Sequence, residues 1–147
     1  MIFWDASGIV PLLVTEPLSE SVRALLRSDP GMLVWWGTPI ECASAIARRE
    51  REGGLTPAQA DASRARLAHL CAAWNEVLPS EDIRFHAARL LRLHPLRSAD
   101  AIQLAAAWVW AGGRPRQHAF LTFDARLRSA ARLEGFGVPG AAAVGGP

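Results

Sequence analysis

Three short runs of this chain are apolar at almost every position, and they narrow the folds open to it. Ile2-Phe3-Trp4, Met32 to Trp36 and Ala119 to Phe123 are too short for buried helices and end in turn residues or charges. Runs of this kind read as strands buried on both faces. Glu76 to Leu78 reads as a further short strand and Phe136 to Val138 as an edge strand. Between them lie segments with helical spacing, from Ser7 to Val14, Leu18 to Arg27, Thr38 to Glu52, Pro57 to Asn75, Glu81 to Leu93, Ser98 to Ala111 and Asp124 to Glu134. Doubly buried strands that alternate with helices predict an α/β fold, with a mostly parallel central sheet of four to five strands and helices on both faces.

The chain has 147 residues, half of them hydrophobic, which is enough for one core. One domain is expected over residues 1–138, followed by a Gly-, Ala- and Pro-rich tail, 139–147, that is expected to be disordered. The start of the chain has no basic flank followed by a long apolar run, and the apolar stretch Ala105 to Ala111 is too short to span a bilayer. A soluble, cytoplasmic protein with no membrane partner is the expectation.

Two cysteines, Cys42 and Cys71, are too few for a disulfide framework and read as small core residues. The four histidines lack zinc-ligand spacing. All sixteen basic residues are arginine. A net charge of +2 and a pI near 9.0 are compatible with nucleic acid without requiring it. The absence of lysine argues against phosphotransfer domains of the receiver or haloacid-dehalogenase kind, which rely on one. No glycine-rich loop follows a strand, which argues against a nucleotide-binding module.

In open α/β sheets, chemistry collects at the carboxyl edge, where strands end and helices begin. Asp5 directly follows the first strand, Asp124 the last long one, and Glu41 lies shortly after the second. Asp100 falls in the first turn of its helix. Each has a structural explanation too. Thr38-Pro39-Ile40-Glu41 has the form of a capping box, Asp124 can be an N-cap, Asp100 can complement a helix dipole, and Asp5 can end its strand through turn chemistry. Capping alone gives no reason for four acids at one end of one sheet. Clustered carboxylates stay ionised together only with compensating cations, and an all-oxygen set suits Mg²⁺ or Mn²⁺. Such ions promote phosphodiester hydrolysis without a histidine or thiol nucleophile. Ser7 and Thr122 are placed to hold the carboxylates, although Ser7 can equally cap a helix and Thr122 pack in its strand.

These segments resemble the PIN-domain ribonucleases, and among them the toxins of VapBC toxin-antitoxin pairs. The matching pieces are Ile2-Phe3-Trp4-Asp5-Ala6-Ser7, Pro39-Ile40-Glu41, Arg97 to Ala105 and Leu121-Thr122-Phe123-Asp124. The resemblance implies a metal site of Asp5, Glu41, Asp100 and Asp124, supported by Ser7 and Thr122. It also implies Mg²⁺- or Mn²⁺-dependent endonucleolytic cleavage of RNA, a homodimer, and neutralisation by a cognate antitoxin whose C-terminal segment lies along the toxin groove. Gln103 stands where many relatives carry histidine, and alanine separates Asp5 from Ser7 where threonine is expected. Arg97, Arg114, Arg116, Arg126 and Arg128 flank the acids in sequence and are candidates for RNA phosphates, with a solvated helix face as the other explanation for Arg126 and Arg128. A non-catalytic module of the same fold that binds RNA or protein is the alternative.

Overall fold

In the computed structural model, residues 1–139 are described. Four strands form one sheet: β1 (Ile2–Trp4), β2 (Met32–Trp35), β3 (Asn75–Val77) and β4 (Ala119–Leu121). Their order is β3-β2-β1-β4, and every pairing is parallel. Seven helices accompany them: α1 (Ala6–Leu13), α2 (Ser19–Ser28), α3 (Thr38–Arg51), α4 (Pro57–Ala73), α5 (Glu81–Leu93), α6 (Ser98–Trp110) and α7 (Ala125–Leu133). The expected α/β architecture is present. The expected tail beyond residue 139 lies outside the described residues. Among the described residues, no helix is long and apolar enough to cross a membrane.

The alternation of side chains along each strand sorts the core into two layers. Ile2, Trp4, Met32, Val34 and Leu121 point to one face, where Ile9, Val22, Ile46 and Leu67 from α1 to α4 cover them. Phe3, Leu33 and Phe120 point to the other, against Ile83, Leu104 and Leu127 from α5, α6 and α7. Polar alternation is missing from β1, β2 and β4 because each has a buried layer on both sides, whereas the edge strand β3 exposes Asn75 and Glu76. Phe3 and Phe120 are register partners on neighbouring strands, and their rings stack at 5.3 Å.

The sheet has four strands rather than five, since Phe136 to Val138 contributes only an isolated bridge from Gly137 to Ala119. Gly137 receives the Phe120 amide at 2.8 Å and donates to the His118 carbonyl at 3.0 Å. Phe136 packs in the core beside Phe120, and burial of this ring holds the segment in place. Near it, Glu134 at the end of α7 accepts from Arg89 at 2.6 Å and lies 2.7 Å from His94 Nε2, tying α7 to α5.

The capping box at Thr38 does not form. Gly37 is the N-cap, Thr38 is helical and fully buried, and no side chain caps the helix. Gly37 is dictated by close approach: a Cβ there would lie 2.6 Å from the Trp35 indole nitrogen. A reciprocal box exists one helix later, where Thr56 Oγ1 accepts from the Gln59 amide at 3.2 Å and Gln59 Oε1 accepts from the Thr56 amide at 2.9 Å. Thr38 and Glu41 are therefore free for other contacts.

Phe120 is fully buried between Phe3 and Phe136. Replacing it with alanine is expected to cost about 3–5 kcal/mol. Urea unfolding measures this, and a loss below about 1 kcal/mol would contradict the packing described.

Candidate active site

The chain steps outward from β1 to β2 and β3, then returns to place β4 on the other side of β1. The reversal marks the carboxyl ends of β1 and β4 as the crevice position where open parallel sheets receive ligands. Asp5 follows β1 at this point, and its amide continues the ladder by donating to the Leu121 carbonyl at 3.0 Å. Asp124 follows β4 across the same crevice.

Asp5 is only 5% exposed. Its Oδ2 accepts from the Ser7 hydroxyl at 2.5 Å, the Thr122 hydroxyl at 3.0 Å and the Ser7 amide at 3.2 Å. The two hydroxyls are themselves held. Ser7 Oγ accepts from the Phe123 amide at 2.9 Å, and Thr122 Oγ1 accepts from the Asp124 amide at 3.1 Å. Each hydroxyl thus receives a backbone hydrogen and gives its own to Asp5, which links the ends of β1 and β4. Asp5 also caps α1, and Asp124 Oδ1 caps α7 by accepting from the Leu127 amide at 2.8 Å. Ser7 and Thr122 both hydrogen-bond to Asp5, and Asp5 and Asp124 are helix caps as well.

Glu41 arrives from the first turn of α3, just beyond the end of β2. Its Oε1 accepts from Gln103 Nε2 at 3.0 Å, and the second hydrogen of that amide goes to Thr38 Oγ1 at 3.2 Å. Asp100 and Gln103 are three residues apart on α6 and so share a helix face. Sequence reading passed over Gln103 as a departure from a pattern. The available signal was a polar residue inside the otherwise apolar Ala101 to Ala107 stretch of a helix that packs on the sheet.

The four acids share one electrostatic field. Burial pushes the Asp5 carboxyl above its usual range, against the hydrogen bonds from Ser7 and Thr122. Burial, reinforced by the charge on Asp5, pushes Glu41 up to about 7, with Asp100 adding to the rise and the Gln103 bond opposing it. Asp100 is raised by burial, then by the charges of Asp124 and Asp5, with the Arg97 amide and charge acting the other way. Among the described residues, no three acidic, histidine or cysteine side chains close on one point at metal-holding geometry. Like charges oppose such closure, and Asp5, Glu41 and Asp124 each take protein donors instead. The donor set still fits a hard divalent cation: it consists of carboxylate oxygens, and its charged form is penalised until positive charge arrives.

The arginines divide. Arg97 precedes α6 beside Asp100, and Arg126 and Arg128 lie in the first turns of α7. Arg128 Nη2 donates to the Thr122 carbonyl at 3.2 Å, at the end of β4. Arg114 and Arg116 instead precede β4, which puts them at the amino edge of the sheet, opposite the acids. Arg116 lies there beside Gly135, at the far end of α7. They followed the acids in sequence order only, because α6 carries the chain from one edge to the other.

Comparison with known proteins places this fold in a known family. The PIN domain family profile matches residues 2–133. Ribonuclease VapC49 of Mycobacterium tuberculosis is 35% identical over 108 residues, covering 73% of this chain and 74% of the relative. Ribonuclease VapC47 of the same organism is 31% identical over 140 residues, covering 92% and 93%. Among solved structures, a toxin-antitoxin complex from Klebsiella pneumoniae superposes with a TM-score of 0.60 at 16% identity, over 84% of this chain and 87% of that one, which shows the shared fold.

The raised carboxyls set a stability profile in metal-free buffer. A carboxyl at about 7 when folded and near 4.5 when unfolded keeps its proton longer in the folded state, so stability is highest below about 4.5 and falls as pH rises to 7. Asp5 and Asp100 act with the same sign. Thermal unfolding should show a midpoint that falls from pH 4.5 to 7, with a smaller fall in Glu41→Gln. A midpoint that climbs across this window would refute the assignment.

Proposed function

We propose that this chain, which belongs to the PIN-domain family and within it to the VapC ribonucleases, cleaves RNA at the carboxyl edge of its sheet as the toxin of a type II toxin-antitoxin pair. The observation that carries the site assignment is the charge coupling among Asp5, Glu41, Asp100 and Asp124 at the crevice between β1 and β4. Asp5, Asp100 and Asp124 would hold Mg²⁺ or Mn²⁺, with Glu41 completing the set. When bound, such an ion supplies positive charge for the phosphoryl oxygens and a more acidic water for hydrolysis.

The protein's own groups prepare that site. Ser7 and Thr122 keep Asp5 in one orientation and tie its position to that of Asp124. Arg97, Arg126 and Arg128 stand on the acid side of the molecule, where guanidinium groups can pair with RNA phosphates. Arg114 and Arg116 sit at the wrong edge for that role at this site and are left out of it.

A cognate antitoxin is the protein partner in this proposal. Supporting it, Trp36 is 56% exposed, and Ile40, Leu78 and Leu91 are exposed with it. A groove of about 400 Å³ lined by Trp35, Pro79, Ile83, Leu91 and Ile102 lies close by. Exposed apolar area of this kind marks protein contact. A homodimer and a cytoplasmic location belong to the same proposal.

Purified protein freed of antitoxin should cut RNA with Mg²⁺ or Mn²⁺ and stop in chelator. Asp5→Asn and Asp100→Asn should each lower the cleavage rate by roughly 100-fold or more, in line with loss of a charged group in the site. Gel assays of RNA ends measure this; parental rates in either variant would rule out the site. RNA binding without any cleavage would favour a non-catalytic module.

A further inference from the structure

We propose that Gln103 is a positioning residue for Glu41, its amide setting where the Glu41 carboxylate meets an incoming divalent cation. This rests on the nuclease site proposed above and names a residue through which that site is held.

Gln103 is fully buried on α6, one turn after Asp100. Both hydrogens of its amide are committed, one to Glu41 Oε1 at 3.0 Å and one to Thr38 Oγ1 at 3.2 Å. These two acceptors lie in the first turn of α3, so a single side chain joins the helix carrying Asp100 to the helix carrying Glu41. With Glu41 ionised, the flipped amide would set Oε1 against the carboxylate, so the observed orientation is the one that suits the charged form. In the observed form Oε1 is buried with no partner among the described residues.

What distinguishes positioning from simple packing is the partner of the donor. A hydrophobic side chain of similar length would keep the volume but take the amide hydrogens from both Glu41 and Thr38. Glu41 thus gains a fixed donor from the helix that carries Asp100. Second-shell donors of this type orient carboxylate ligands, and their loss weakens metal binding by roughly 10- to 100-fold.

The experiment compares the parent with Gln103→Met, Gln103→His, Glu41→Gln and the double variant Glu41→Gln/Gln103→Met. Mn²⁺ binding is read by calorimetry, thermal unfolding in chelator, and RNA cleavage across a Mn²⁺ titration. Gln103→Met should bind Mn²⁺ roughly 10- to 100-fold more weakly, with a modest fall in its unfolding midpoint from the donor lost to Thr38. Its cleavage should recover as Mn²⁺ is raised. Gln103→His, whose ring N–H can replace the donor, should recover part of the affinity. The double variant should bind no more weakly than Glu41→Gln alone, since the two residues act through one contact.

Parental Mn²⁺ affinity in Gln103→Met would overturn the inference. So would Mn²⁺ affinity that stays equally low in Gln103→His, because the loss would then come from packing and not from the missing donor. Additive losses in the double variant would also overturn it, since Gln103 would then act apart from Glu41. Failure of the nuclease site itself is separate and shows as parental cleavage by Asp5→Asn.

Discussion

Asp5 keeps a carboxylate at the end of a strand buried on both faces, and burying charge is costly unless hydrogen bonds or opposite charge offset it. Much of the architecture around it can be understood as that offset. Two hydroxyls and an amide converge on one of its oxygens, and each hydroxyl is oriented by a backbone donor from the turn after β4. The parallel ladder from Leu121 to Asp5 sets the spacing. The end of β1 and the end of β4 are thus one hydrogen-bonded unit.

The remaining acids enter on helices whose first turns meet at the same edge. Glu41 comes with α3 and Asp100 with α6, and Gln103 joins the two. Each added carboxylate raises the cost of charge on its neighbours, as the shifted Glu41 and Asp100 carboxyls register. An assembly of this kind stores unfavourable electrostatics in the folded protein and releases it when positive charge binds. In the function proposed here, the same site that would weaken the metal-free fold is the one that would perform the chemistry, the usual relation between active sites and stability.

Several elements were legible before any coordinates. Unbroken apolar strands implied helices on both faces, since a strand with one solvated face would alternate. The positions of Asp5 and Asp124 directly after strands implied the carboxyl edge. Thr38-Pro39-Ile40-Glu41 was misleading, because a capping box depends on the backbone angles of its first residue, and Thr38 already lies inside the helix with Gly37 as its cap. Phe136 to Val138 looked like a strand because Phe and Val favour pleated surfaces, yet only Gly137 finds a ladder partner. Arg114 and Arg116 were placed with the acids by nearness in sequence, which a 13-residue helix between two edges defeats.

Sequence alone determined the class of fold and the acids adjacent to strand ends. These follow from local periodicity, which needs no knowledge of what packs where. Tertiary structure decided the strand order, the edge on which each arginine falls, and the pairing of Gln103 with Glu41 across 62 residues. Those depend on which segments meet in space, and no short stretch of chain contains that information.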